Sequence, residues 1–100
     1  MVSFKTDSGG LTAILTGEID HHTAKVMREE IDRKIQTLLP DRLYLDFGGV
    51  TFMDSSGIGL IMGRYRNMEA MGGTVSIKNA GQHLLRVMRF AGLERLVRFE

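Results

Sequence analysis

The chain has no cysteine among its 100 residues. This absence excludes disulfide bonds, thiolate catalysis and zinc sites with cysteine ligands, and it fits a reducing compartment. The fold must therefore depend on side-chain packing alone. Apolar residues make up 43% of the sequence, which is enough for one modest core, so we expect a single domain over residues 1–100.

A strong charge of one sign is also lacking. The 13 lysines and arginines nearly balance the 12 aspartates and glutamates, so the bulk charge indicates neither a nucleic-acid partner nor a disordered chain. No apolar run approaches the roughly 20 residues that span a bilayer, and residues 1–10 lack the apolar segment of a secretory signal. We expect a cytoplasmic protein with no membrane contact and no direct contact with nucleic acid.

The spacing of apolar residues predicts strands that alternate with helices. Alternation over residues 2–6, the turn residues 7–10 and the apolar run 11–16 indicate an antiparallel hairpin. Residues 43–47 and 74–78 predict two further strands, and residues 93–99 form a short terminal segment. Apolar spacings of three and four predict three helices. Their expected buried positions are Ala24, Met27, Ile31, Ile35 and Leu38, then Ile58, Ile61, Met62, Tyr65 and Met68, then Leu84, Leu85, Met88 and Ala91.

This element order predicts a mixed sheet. Strands separated by a helix run parallel with right-handed crossovers, whereas the opening hairpin is antiparallel. The pair Gly48-Gly49 predicts the end of the central strand. Functional loops of such sheets collect at the carboxyl ends of the strands, so residues 17–23 and 48–57 are the candidate functional loops.

The second loop carries the sharpest local feature, because Asp54, Ser55 and Ser56 stand at the predicted start of a helix. All three residue types cap helices, so one interpretation is purely structural. The other is that an exposed hydroxyl here accepts phosphate. A phosphate adds about −1.5 to −2 charge, which the positive end of a helix accommodates but an acidic or apolar partner surface does not. The residues alone leave Ser55 and Ser56 both open.

Two motifs together resemble a known family. They are Thr16–Ala24 (TGEIDHHTA) and Phe52–Gly59 (FMDSSGIG), followed by Gly63-Arg64-Tyr65 and Gly72-Gly73. Their order, spacing and apolar neighbours closely resemble the sporulation anti-sigma-factor antagonists of the STAS superfamily over nearly the whole chain. The resemblance implies an α/β fold: a STAS-like single domain whose mixed β-sheet has an N-terminal hairpin and carries helices mainly on one face.

The resemblance also implies a function. Members of this family are phosphorylated on the first serine of the second motif, here Ser55, by an anti-sigma factor serine kinase that supplies ATP. A regulatory protein phosphatase restores the unmodified form, which binds the ADP-loaded anti-sigma kinase and frees a sporulation sigma factor. The chain would then be a regulator and not an enzyme, with no cofactor and no metal of its own.

Carried over residue by residue, the resemblance makes Ser55 the phosphoacceptor and places the neighbouring residues at the partner surface. The expected partner-binding residues lie in or beside the two loops: Asp20, Met53, Asp54, Ser56, Gly57, Ile58 and Gly59. The two glycines would allow a partner backbone to approach. Met53 and Ile58 are the expected apolar anchors, since apolar side chains beside a switch loop suit partner binding.

Other site chemistries have less support in the sequence. A serine hydrolase needs a base, an oxyanion hole and a Gly-x-Ser-x-Gly elbow, which the run from Met53 to Gly57 lacks. His21 and His22 have no cluster of acidic or cysteine ligands beside them, and no Gly-Lys-Ser/Thr phosphate cradle is present. Six arginines are interspersed with glutamates, so we expect a solvated surface of mixed charge. They are Arg64, Arg66, Arg86, Arg89, Arg95 and Arg98.

Two further hypotheses stay open. A STAS module of another circuit, such as a general stress antagonist or a stressosome component, would keep the fold and the phosphoacceptor but change the sigma factor. The run from His21 to Thr23 favours the sporulation branch. The second hypothesis is a purely structural interaction domain that is never phosphorylated.

Overall fold

The chain opens with an antiparallel hairpin in which β1, Val2–Asp7, pairs with β2, Gly10–Ile19. Three strands follow in parallel, namely β3, Arg42–Met53, β4, Thr74–Lys78, and β5, Arg98–Phe99. Their order across the sheet is β1-β2-β3-β4-β5 in the computed structural model, which describes residues 1–100. The prediction of a mixed sheet with an opening hairpin is confirmed.

Three helices connect neighbouring parallel strands. They are α1, His21–Leu38, α2, Ser55–Ala70, and α3, Gln82–Phe90, and a short 3-10 helix, Leu93–Arg95, precedes β5. Because each crossover between adjacent parallel strands is right-handed, all three helices lie on the same face of the sheet. The apolar side chains of the strands point to that face, as in the fully buried Leu43, Leu45 and Phe47 of β3.

The buried faces of α1 and α3 follow the apolar spacing with three exceptions, of which Leu85 is only partly buried. Leu38 is 45% exposed and Ala91 is exposed, because α1 ends at Leu38 and α3 ends one residue before Ala91. The buried face of α2 includes the predicted Ile61 and Met68, but its other members are Gly57, Leu60 and Arg64, each one residue before a predicted position. The predicted positions Ile58, Met62 and Tyr65 are only partly buried. A polar residue at a core position is invisible to apolar periodicity, and Arg64 is that residue.

The strands β2 and β3 run further than the sequence indicates. The predicted strand ends at Thr16 and Gly48 are wrong, because both strands continue side by side to the pair Ile19 and Met53. The glycines mark irregular register and not the end of pairing. A Cβ on Gly49 would lie 2.8 Å from Thr16 Cγ2, so only glycine allows the two strands to approach there. Each expected functional loop therefore shrinks to one residue between strand and helix.

The most buried charge of the chain is Arg64, which is 4% exposed. Its Nε lies 2.9 Å from Asp32 Oδ1 of α1 in an ion pair that lacks hydrogen-bond geometry, and its Nη1 has no hydrogen-bond partner. Burial lowers the pKa of Arg64, and the Asp32 carboxylate partly offsets that effect. The expectation that Arg64 belongs to a solvated arginine surface is wrong. This residue instead ties α2 to α1.

We expect Asp32→Ala to lower the free energy of unfolding by about 2 kcal/mol, because it leaves the buried Arg64 charge without its partner. This expected loss is smaller than the loss of about 3–5 kcal/mol that follows when one partner of a fully buried ion pair is removed. The reason is that the Asp32 side chain is still 31% exposed. Urea denaturation measures the change. The control is Arg33→Ala, an exposed position of the same helix, and a loss equal to that of this control would contradict the account.

Candidate functional site

The carboxyl ends of β2 and β3 stop at the same level. Ile19 and Met53 are register partners, and the Asp54 N–H donates to the Ile19 carbonyl oxygen at 3.1 Å. Asp20 and Asp54 are therefore the two single-residue links from neighbouring parallel strands into α1 and α2. The two motifs that the sequence singled out lie side by side at this edge of the sheet.

Asp54 is the N-cap of α2. Its Oδ1 accepts a hydrogen bond of 2.7 Å from the Ser56 N–H, so the carboxylate satisfies a helix donor that lacks an intrahelical partner. Ser55 is the first residue of the helix, its side chain is exposed, and its hydroxyl takes no part in the cap. Ser56 is only partly exposed. The structural interpretation of the serines as caps is therefore unnecessary, since Asp54 alone makes the cap.

Asp20 caps α1 in a reciprocal arrangement. Its Oδ1 accepts from the N–H groups of His22 and Thr23 at 3.0 and 2.9 Å, while its own N–H donates to Thr23 Oγ1 at 2.8 Å. These bonds form a capping box in which threonine takes the place of the usual glutamate or glutamine. The backbone N–H of Thr23 is the main cause that lowers the pKa of Asp20 below its usual 3.8.

Met53 lies beneath the first turn of α2 and not on its surface. It is 6% exposed, and a Cβ on Gly57 would lie 2.1 Å from Met53 Cγ. Gly57 is therefore required by packing inside the chain, and both residues support the loop from below. The expectation that Met53 is an apolar anchor for a partner does not fit this burial. Ile58 is partly buried, and Gly59 is exposed with nothing within 4 Å of an added Cβ.

One exposed residue of this edge was missed in the sequence. Phe52 is 50% exposed, pairs with Glu18 across β2 and β3, and precedes Asp54 by two residues. Neighbouring residues of a strand point to opposite faces, so the burial of Met53 places Phe52 outward. The alternation of inward and outward side chains along β3 could have identified Phe52 as exposed. It could be applied only once β3 was known to extend past Gly49.

Residues 1–100 contain neither a cluster of potential metal ligands nor a helix suited to crossing a membrane. No group of three or more histidine, cysteine or acidic side chains converges, and His21 and His22 are both exposed, with ring centroids 5.8 Å apart. No helix combines the length and apolar composition that crossing a bilayer needs. A cleft of about 330 Å³ lies at the opposite edge of the sheet, between the hairpin turn and Leu38–Arg42, away from Ser55.

Comparison with known proteins gives a match to the STAS domain over residues 3–100. The chain belongs to the STAS domain family. This STAS domain is 34% identical over 89 residues to the anti-sigma F factor antagonist of Paenibacillus polymyxa, covering 89% of this chain and 76% of that protein. It is 27% identical over 96 residues to the anti-sigma-B factor antagonist of Bacillus subtilis (strain 168), covering 96% and 86%.

Solved structures of the anti-sigma factor antagonist SpoIIAA share the fold. The unphosphorylated form has a TM-score of 0.85 at 29% identity and covers all of this STAS domain and 88% of that chain. The phosphorylated form, described as a Bacillus cell fate determinant, has a TM-score of 0.77 at 29% identity and covers 100% and 91%. The family and fold class indicated by the sequence are confirmed.

We expect Gly57→Ala and Gly59→Ala to have opposite effects on stability. Gly57→Ala should lower the free energy of unfolding by about 1–3 kcal/mol, because the new methyl group displaces Met53 from the core. Gly59→Ala should raise it by about 0.5–1 kcal/mol, since alanine favours the helix and meets nothing. Thermal and urea unfolding of the matched pair measure both changes. A gain for Gly57→Ala would show that Met53 does not hold this position.

Acid should weaken the start of α1 through Asp20. Because the folded-state pKa of Asp20 is below 3.8, its contribution to stability is present above that value and is lost as pH falls through the folded-state pKa. Asparagine also caps helices but does not titrate, so Asp20→Asn should flatten the loss of stability below about pH 4. Urea unfolding from pH 5 to pH 2 measures this difference, and identical slopes for both proteins would refute it.

Proposed function

We propose that this STAS domain is an anti-sigma-factor antagonist that phosphorylation of Ser55 switches off. The observation that carries the proposal is the exposed Ser55 hydroxyl at the mouth of α2, free of the cap that Asp54 makes. In its unphosphorylated form the chain binds the ADP-loaded anti-sigma factor serine kinase and releases a sporulation sigma factor. It acts in the cytoplasm as a regulator and not as an enzyme.

The relatives support this function by their names. Both curated relatives are antagonists of anti-sigma factors, and SpoIIAA has been solved in phosphorylated and unphosphorylated forms. A switched-off form needs an enzyme that restores the hydroxyl, so the second expected partner is a regulatory protein phosphatase. ATP and magnesium for phosphoryl transfer belong to the kinase, because Ser55 is the acceptor and this chain supplies no phosphate-binding motif of its own.

The N-terminus of α2 explains how a phosphate on Ser55 changes partner binding without changing the fold. The first N–H groups of α2 and the helix dipole favour an anion at Ser55, so the modified chain needs no rearrangement. About −1.5 to −2 charge then lies next to the carboxylates of Asp20 and Asp54. A partner that docks across these residues meets repulsion and the cost of desolvating a phosphate, so its affinity falls.

The surface available to the partner contains fewer of the expected partner-binding residues than the sequence predicts. Asp20, Asp54, Ser56 and Ile58 are partly exposed and Gly59 is exposed, so these five residues remain available beside Ser55. Phe52 adds an apolar side chain at the same edge. Met53 and Gly57 hold the loop in place from inside and contribute to binding only through its shape.

The second candidate function is a STAS regulator of a different stress-response sigma circuit. The observation that favours it is the 27% identity to the anti-sigma-B factor antagonist of Bacillus subtilis (strain 168) over 96 residues. Such a protein keeps Ser55 as phosphoacceptor and binds another anti-sigma factor. Binding to the organism's purified anti-sigma kinases, measured in parallel with ADP, separates the two circuits.

We expect Ser55→Ala to abolish phosphate incorporation by the cognate anti-sigma kinase while binding to the ADP-loaded kinase is retained, because the hydroxyl is exposed and caps nothing. Ser56→Ala is the matched control and should still be phosphorylated. Mass spectrometry with fragment-level site mapping measures both. Equal phosphate uptake by wild type and Ser55→Ala would contradict the assignment of Ser55 as the phosphoacceptor.

We expect Ser55→Asp to weaken binding to the same kinase by about tenfold, because one carboxylate imitates part of the added charge. Calorimetric titration with ADP present measures the affinity, and Ser55→Asn controls for the size of the new side chain. If Ser55→Asp and Ser55→Asn bind equally well, charge is not what switches the interaction.

A further inference from the structure

A groove of about 320 Å³ separates the first two turns of α1 from the first turns of α2. From α1 it is lined by His21, Lys25 and Arg28, and from α2 by Ser56 and Gly59. It begins one residue from Ser55 and follows the seam between the two helices. The candidate phosphorylation site therefore stands at the edge of a groove whose α1 wall is cationic.

The positive charges of this wall form no ion pair within the chain. The one ion pair of the structure joins Arg64 to Asp32, so Lys25 and Arg28 have no carboxylate at ion-pair distance, and both residues are exposed. The Arg28 charge also contributes to lowering the pKa of the buried Arg64, whose own charge is paired with Asp32. Both helices start at this edge, so their positive ends add to the field.

The carboxylates near the groove form no ion pair with Lys25 or Arg28, and this includes Glu29, which is exposed one helical turn after Lys25. Asp20 and Asp54 lie at its mouth, and each is engaged with backbone N–H groups of the helix that it caps. Asp32 lies beyond Arg28 on α1 and is paired with Arg64 and with the Asn67 side chain. His21 is the remaining titratable group of the wall, and its protonation below neutral pH only increases the positive charge.

Gly59 keeps the other wall open. A glycine inside a helix costs about 1 kcal/mol relative to alanine. Packing gives no reason for this cost, since an added Cβ at Gly59 would meet nothing within 4 Å, and the same is true one turn later at Gly63. A side chain at Gly59 would instead fill the groove. The fold therefore tolerates a larger residue there, but an occupant of the groove would not.

We propose that this groove binds an acidic segment of the anti-sigma factor, with Lys25 and Arg28 as the residues that recognise its carboxylates. The inference rests on the proposed function and adds the chemistry of the partner. Unpaired cations, two helix N-termini and an open glycine wall are complementary to aspartate or glutamate side chains on an approaching surface. A phosphate on Ser55 places negative charge at the edge of the same groove, where it repels that acidic segment and competes for the same cations.

The test is the affinity of the ADP-loaded anti-sigma kinase of the same organism for the wild type and for Lys25→Glu. We expect Lys25→Glu to bind about tenfold more weakly at 50 mM salt, and the difference to fall below about threefold at 500 mM, because salt screens exposed charges. Arg33→Glu is the matched control. It is the same charge reversal on α1, at an exposed residue beside Phe4 and away from α2, and should bind like wild type.

A second variant tests the groove without changing charge. Gly59→Leu should unfold at or above the wild-type temperature, because the position is open, yet bind the kinase at least about tenfold more weakly because the side chain blocks the occupant. Wild-type affinity in both Lys25→Glu and Gly59→Leu, or equal weakening by Arg33→Glu, overturns the inference while leaving the proposed function intact. Absence of kinase binding by the wild type overturns the proposed function itself.

Discussion

The parallel pairing of β2 with β3 up to Ile19 and Met53 is the constraint on which the rest of the structure depends. Because the two strands stop at the same level, one residue after each strand can cap the next helix. Asp20 and Asp54 make those caps, and the Asp54 N–H donates to Ile19. The helix that carries Ser55 is thus fixed to the sheet at its N-cap residue, Asp54. A hydroxyl in a mobile loop would not be held in this way.

The sequence predicted those features that depend on local chemistry. The hairpin, the strand Thr74–Lys78 and the start of α2 followed from turn residues, alternation and capping side chains. It did not predict the length of β3 or the burial of Arg64. Gly48-Gly49 has the local pattern of a strand end, and only contact with Thr16 of the neighbouring strand shows that the pairing continues. Arg64 is charged, and only the position of Asp32 on another helix allows its burial.

Some features of the candidate site could likewise be predicted from the sequence, and others could not. Ser55, Asp54 and Asp20 could be placed at this edge from the motifs, since each stands at the start of a predicted helix. The burial of Met53 under Gly57 and the outward position of Phe52 required the register of the strands. In the account proposed here, the rigid edge lets one phosphate change charge without changing shape, and the groove beside it supplies the surface that senses that charge.

The most direct test of the account is release of sigma factor. The purified kinase and its sigma factor are mixed with ADP, and transcription from a promoter that requires this sigma factor is measured after addition of the chain. We expect the unphosphorylated chain to restore transcription and the chain phosphorylated on Ser55 to leave it repressed. Equal release by both forms would contradict the switch, and no release by either form would contradict antagonism of the anti-sigma factor.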